Sequence, residues 1–104
     1  MSCKSISPAE AARLVADGAL LVDIREPGEC VETIEGACSA PLSTGVAGVN
    51  PAPGQPVIFH CKSGGRTSMN AAALKSCAGV DDVYLVAGGI DGWKKAGLPI
   101  QSRR

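Results

Sequence analysis

The sequence predicts an α/β protein, a parallel sheet of about five strands with helices on both faces, folded as one domain over residues 1–104. Three observations carry this. Helix-type and strand-type segments alternate along the chain, the pattern that places parallel strands beside one another with helices crossing over them. The strand-type segments, Leu20 to Ile24, Val57 to His60 and Val83 to Val86, are short apolar runs, as expected for strands covered on both faces. Finally, 104 residues with 45% hydrophobic and only 3% aromatic content give one core, built from Val, Ile, Leu and Ala.

Ser7-Pro8-Ala9-Glu10 is a capping box with proline at the first helical position, so a helix starts there, and Gly18 ends it. Ala11, Leu14 and Val15 fall at i, i+3 and i+4 and form its buried stripe. Leu20 to Ile24 follows as a strand. Asp23 sits at its carboxyl end, where the functional groups of open α/β sheets gather, although a turn-forming aspartate ahead of Pro27 would look the same. Pro41 to Pro56 is rich in Gly, Pro, Ser and Ala and reads as a surface connection. Val57 to His60 then enters the sheet and delivers Cys61. Past Arg66 a helix is expected to turn Met69, Ala72, Ala73 and Cys77 toward the sheet and to end at Gly79. After the strand Val83 to Val86, a last helix carries Trp93 as a core residue and stops at Gly97-Leu98-Pro99. There are no internal repeats.

Ten Lys and Arg balance ten Asp and Glu, so no global field draws the chain to nucleic acid or to an anionic membrane surface. No signal-like apolar run follows Met1-Ser2-Cys3-Lys4, and nowhere do roughly 18 apolar residues run together. A cytoplasmic location with no membrane segment in this chain is expected. The five cysteines are odd in number and irregular in spacing, with no metal or redox pair motif, which argues against a disulfide framework. A helix from Thr67 to Cys77 would hold its ends ~15 Å apart, so Cys61 and Cys77 cannot pair. Cys30, Cys38 and Cys77 read as small apolar fillers.

The chemistry is expected at Cys61. A strand running into a glycine-containing loop that opens a helix leaves backbone N–H groups without carbonyl partners, and these together with the helix dipole favour thiolate over thiol. Lys62 and Arg66 add local positive charge. Gly64 and Gly65 can take the φ > 0 values that turn successive N–H groups inward, so Ser63 to Thr67 reads as an anion cradle. Four residues separate Cys61 from Arg66, where cysteine phosphatases have five. One residue fewer removes at most ~3.5 Å of chain, and the smaller ring suits a single extra sulfur carried as a persulfide. His60 is the only histidine, and its neighbour Cys61 invites a general-base reading. Adjacent strand residues point to opposite faces, however, which favours a packed core histidine.

At these residues the chain resembles the rhodanese family of sulfurtransferases, particularly its small single-domain members. Leu20-Leu21-Val22-Asp23-Ile24-Arg25-Glu26-Pro27 is similar to the family's first strand and turn, and Cys61 to Thr67 to its active-site loop. Gly88-Gly89-Ile90-Asp91-Gly92-Trp93-Lys94-Lys95-Ala96-Gly97-Leu98-Pro99 is similar to its C-terminal signature. The resemblance implies a rhodanese-like fold and transfer of sulfane sulfur from thiosulfate or a similar donor to a thiophilic acceptor, cyanide in the assay and a small or protein thiol in the cell. It also implies Cys61 as nucleophile, Lys62, Ser63, Gly64, Gly65, Arg66 and Thr67 as the binding loop, Asp23 and Arg25 as residues that orient the loop, and no metal or organic cofactor. Cys30, Thr33 and Glu35 depart from the family's usual residues in the expected pocket wall. Some relatives carry a membrane anchor, into which the basic end Arg103-Arg104 would lead in a longer parent. A sulfur carrier serving a partner enzyme is the alternative from another class. A cysteine phosphatase fits the short ring poorly, and an arsenate reductase lacks a placed second cysteine.

Overall fold

The computed structural model describes residues 3–102, so the Arg103-Arg104 end lies outside the described residues. The chain opens with β1 (Lys4–Ile6), α1 (Pro8–Ala16) and β2 (Leu20–Asp23), followed by the two-residue strands β3 (Glu32–Thr33) and β4 (Cys38–Ser39). β5 (Val57–His60), α2 (Gly65–Met69), α3 (Ala71–Ala78), β6 (Val83–Val86), α4 (Gly89–Lys95) and β7 (Gln101–Ser102) complete it. Five strands form a parallel sheet in the order β1-β6-β5-β2-β4, while β3 and β7 pair antiparallel as a separate ribbon. The architecture is the expected one. Neither β1 nor the ribbon was legible, because two or three residues are too few to show a period.

The central strand explains the layering. Val57, Ile58 and Phe59 have no exposed surface at all, which is why their run is continuously apolar. Val57 and Phe59 pack with Leu74 and Ala78 on one face, and Ile58 packs with Ala11, Ile90 and Trp93 on the other. One face is therefore covered by α3 and the other by α1 and α4. The Ser7 hydroxyl accepts the Glu10 amide at 3.1 Å, Leu14 and Val15 pack beside Ala11, and Gly18 leaves the helix at φ +107°. Trp93 is buried as expected and donates through Nε1 to the Pro99 carbonyl at 2.8 Å.

Two packing expectations are corrected. Met69, Ala72, Ala73 and Cys77 do not face the sheet: all four are exposed, and the buried residues of α2 and α3 are Thr67, Leu74 and Ala78. The helix breaks at Asn70, which resets its phase, and its many alanines give the apolar period little contrast. Of the three cysteines read as fillers, only Cys30 is buried, while Cys38 and Cys77 are exposed. The segment from Pro41 to Pro56 is irregular apart from a 3-10 turn at Leu42–Thr44, and the bond from Gln55 to the Gly18 carbonyl, at 2.8 Å, ties it to the end of α1. Among the described residues no helix is long and apolar enough to cross a membrane.

Candidate active site

The site forms where β2 and β5 end side by side, with Asp23 and His60 paired in register. β5 runs directly into Cys61, the loop turns at Gly64 with φ +98°, and α2 begins at Gly65. Cys61 is almost wholly buried, and the Gly64 amide donates to its Sγ at 3.2 Å. Burial alone would raise this thiol, but the amides of Thr67, Gly64 and Arg66 outweigh it and hold Cys61 below its ordinary value of 9.0. The Thr67 hydroxyl donates to the Gly64 carbonyl at 3.1 Å and stands 3.9 Å from Sγ, so it adds less to the stabilisation than the Thr67 and Gly64 amides. Only one of the two loop glycines is required by its backbone. A Cβ on Gly64 would lie 3.1 Å from the Gly88 nitrogen, whereas one on Gly65 would meet nothing within 4 Å.

Inward amides require outward carbonyls, and α4 receives them. The Ile90 amide donates to the Cys61 carbonyl at 2.9 Å and the Asp91 amide to the Lys62 carbonyl at 3.0 Å. This approach is so close that a Cβ on Gly89 would lie 2.5 Å from the Cys61 oxygen. The glycine pair that begins α4 is therefore part of the loop's support, a role that no local pattern in the sequence disclosed.

Asp23 and Arg25 bond each other and the neighbouring turn. The Arg25 guanidinium grips both Asp23 oxygens, at 3.0 and 2.8 Å, and donates to the carbonyls of Glu32 at 2.8 Å and Glu29 at 3.3 Å. Burial pushes the Asp23 carboxyl up, but its bonds from Arg25 bring it below the ordinary carboxylate range. The pair thus fixes the 3-10 turn Pro27–Glu29, and Glu29 then reaches Arg66 through a two-pronged ion pair at 2.6 and 2.9 Å. That bond holds the Glu29 carboxyl down at about 2. Glu29 was missed in the sequence, since 37 residues separate it from Arg66.

The His60 ring meets the backbone of Cys61. Its Nδ1 lies 3.1 Å from the Cys61 carbonyl, which can only accept, so Nδ1 carries the proton. Burial pushes the ring below its ordinary value and keeps it neutral. Nε2 has no hydrogen-bond partner among the described residues and stands 3.9 Å from Asp23. Lys62 pairs with Asp91 at 3.1 Å, so both cations of the loop, Lys62 and Arg66, are matched by carboxylates. The mouth is not the electropositive funnel that the loop sequence suggests. Among the described residues no group of three or more His, Cys, Asp or Glu could hold a metal ion.

A family described as rhodanese-like domain matches residues 7–96. An uncharacterised protein of Synechocystis sp. is 40% identical over 89 residues, covering 80% of this chain and 47% of that protein. The chain therefore spans about half the length of that relative. The thiosulfate sulfurtransferase GlpE of Haemophilus influenzae is 33% identical over 98% of both chains. Among solved structures, a protein of unknown function from Rhodopseudomonas palustris, described as a possible tyrosine phosphatase, has a TM-score of 0.77 at 26% identity, covering 95% of this chain and 85% of that one.

Proposed function

Because this chain belongs to the rhodanese-like domain family, whose α/β fold it has, we propose that it is a thiosulfate-type sulfurtransferase that works through a persulfide on Cys61. The observation that carries the proposal is a buried sulfur 3.2 Å from the Gly64 amide, inside a ring of N–H groups that favours its ionised form. The Cys61 thiolate attacks the outer sulfur of the donor. With thiosulfate, a new S–S bond forms, the donor's S–S bond breaks with its electron pair on the departing sulfite, and Cys61 carries the sulfur. The same amides hold the charge of the terminal sulfur, as an oxyanion hole holds oxygen. Cyanide, or a thiol, then takes the sulfur and restores the thiolate. Asp23 and Arg25 orient the loop through the turn that holds Glu29. A reducing, cytoplasmic setting, in which thiols stay unpaired, suits this chemistry.

Mass spectrometry of the protein incubated with thiosulfate tests the proposal. A gain of one sulfur on Cys61, removed by cyanide and absent from Cys61→Ser, is expected. No gain would leave the two rivals. The short four-residue ring from Cys61 to Arg66 favours the sulfur-carrier reading over the phosphatase one.

A further inference from the structure

A groove of about 500 Å³ runs from the rim of the Cys61 loop between the Glu29–Glu32 stretch and α4. It begins at Lys62, which follows the nucleophile, and at Glu29, which holds Arg66. Its size falls within the ~300–1,000 Å³ of sites that hold small organic molecules, more room than cyanide or a bare oxyanion needs. The lining is chemically specific. Arg25, Lys62 and Lys94 face it, and so do Glu29, Glu32 and Asp91, so cations and carboxylates are matched one for one. Between them lie Ile90 and Val31, and Val31 is one of two large apolar side chains that the described residues leave exposed.

This pattern disfavours a dianion, which would meet as many carboxylates as cations. It suits a molecule that carries both charges on a short apolar stem. The pairs that line the groove are also open to exchange. Lys94 and Glu32 meet across it at 2.6 Å with nearly half of each side chain exposed, and Lys62 and Asp91 are more exposed still. Solvated pairs of this kind are weak, so a ligand bearing an ammonium and a carboxylate could replace each bond it opens with an equivalent one.

We propose that this groove seats the sulfur acceptor, and that the acceptor is a small zwitterionic thiol of the amino-acid type. The proposal rests on the sulfurtransferase reading above. The acceptor's ammonium lies against Glu32 and its carboxylate against Lys94, and Lys62, which lines the same groove, marks the side from which its thiolate approaches the Cys61 loop. A bond forms between the acceptor sulfur and the outer sulfur of the persulfide. The Cys61 S–S bond breaks with its electron pair on Sγ, and the acceptor leaves as a persulfide, with no oxidant or reductant required.

Four thiols separate the charges: cysteine with both, cysteamine with the ammonium, 3-mercaptopropionate with the carboxylate and 2-mercaptoethanol with neither. Sulfite release at saturating thiosulfate is measured for each, expressed per thiolate, with cyanide as the reference acceptor. Cysteine should exceed the other three by about two- to fivefold in kcat/KM, the order of effect of a solvated charged pair. In the double variant Glu32→Gln/Lys94→Gln the advantage should disappear, through a higher KM for cysteine, while the cyanide rate holds. Equal rates for the four thiols with cyanide turnover intact would overturn the inference, and so would an advantage that survives the double variant. A parent protein that neither gains sulfur nor turns over cyanide would instead refute the sulfurtransferase reading, and this inference with it.

Discussion

Two helices of this protein begin alike and do different work. α2 and α4 both start after a glycine in the left-handed region, Gly64 at φ +98° and Gly88 at φ +77°, and neither has a side-chain cap. At the first, amides turn toward the Cys61 sulfur, and at the second they turn toward the Cys61 and Lys62 carbonyls. One helix start faces a sulfur, and the other holds the backbone that aims the donors at it. The orphan N–H groups common to every helix start are therefore not in themselves a catalytic feature; what they face decides what they do.

Breaking the second helix start should have the largest effect. A Cβ on Gly89 would meet the Cys61 oxygen at 2.5 Å and the Lys62 carbonyl carbon at 2.6 Å, both backbone, at a φ of +58° that side chains rarely adopt. In Gly89→Ala the loop must move. Because loss of one well-placed donor costs ~2.7–4 kcal/mol, sulfur loading from thiosulfate should fall about a hundredfold or more. Gly65→Ala, with open space around its Cβ, should melt no lower than the parent. Thermal melts and loading rates of the two variants test this, and similar behaviour would mean that α4 does not set the loop.

The second expectation sharpens the role of the first helix start and is smaller. Since the folded site lowers the Cys61 pKa, the thiolate is retained to a lower pH than that of an ordinary thiol, whose value is 9.0. Alkylation of Cys61 should therefore titrate with a midpoint below that value, and the rate should fall about tenfold per pH unit once pH passes beneath the folded pKa. Peptide mapping after a timed iodoacetamide pulse across the pH range gives the curve. A midpoint at or above 9.0 would mean that the amide ring fails to outweigh burial.

The smallest effect concerns Glu29. A depressed acid contributes stability that is fully present above its unfolded value and is lost as pH falls through its folded value, here from the ordinary 4.5 down to about 2. Its link to Arg66 is partly exposed, so Glu29→Gln should lower stability by only about 0–1 kcal/mol at neutral pH. The variant should also lose part of the parent's acid sensitivity between pH ~4.5 and 2. Urea melts at pH 7 and pH 3 measure both. An equal stability difference at the two pH values would remove Glu29 as the titrating partner.

What the sequence alone determined is local. The α/β alternation, the cap at Ser7, the stop at Gly79, the strand that delivers Cys61 and the glycine turn behind it all follow from neighbours within one or two turns of chain. The place of Asp23 at a strand's carboxyl end was also legible, while its position beside the loop followed only from the family resemblance and its burial from the structure. The tertiary structure decided the pairings made across the chain. Glu29 grips Arg66 over 37 residues, Lys62 meets Asp91 over 29, and Lys94 meets Glu32 over 62. Each such pair depends on the path of the connections between elements, which leaves no period or cap for a sequence to display. The same reason explains the misplaced stripe on α2 and α3: alanine is nearly as acceptable in water as in the core, so only the break at Asn70 and the sheet beneath decided which side was buried.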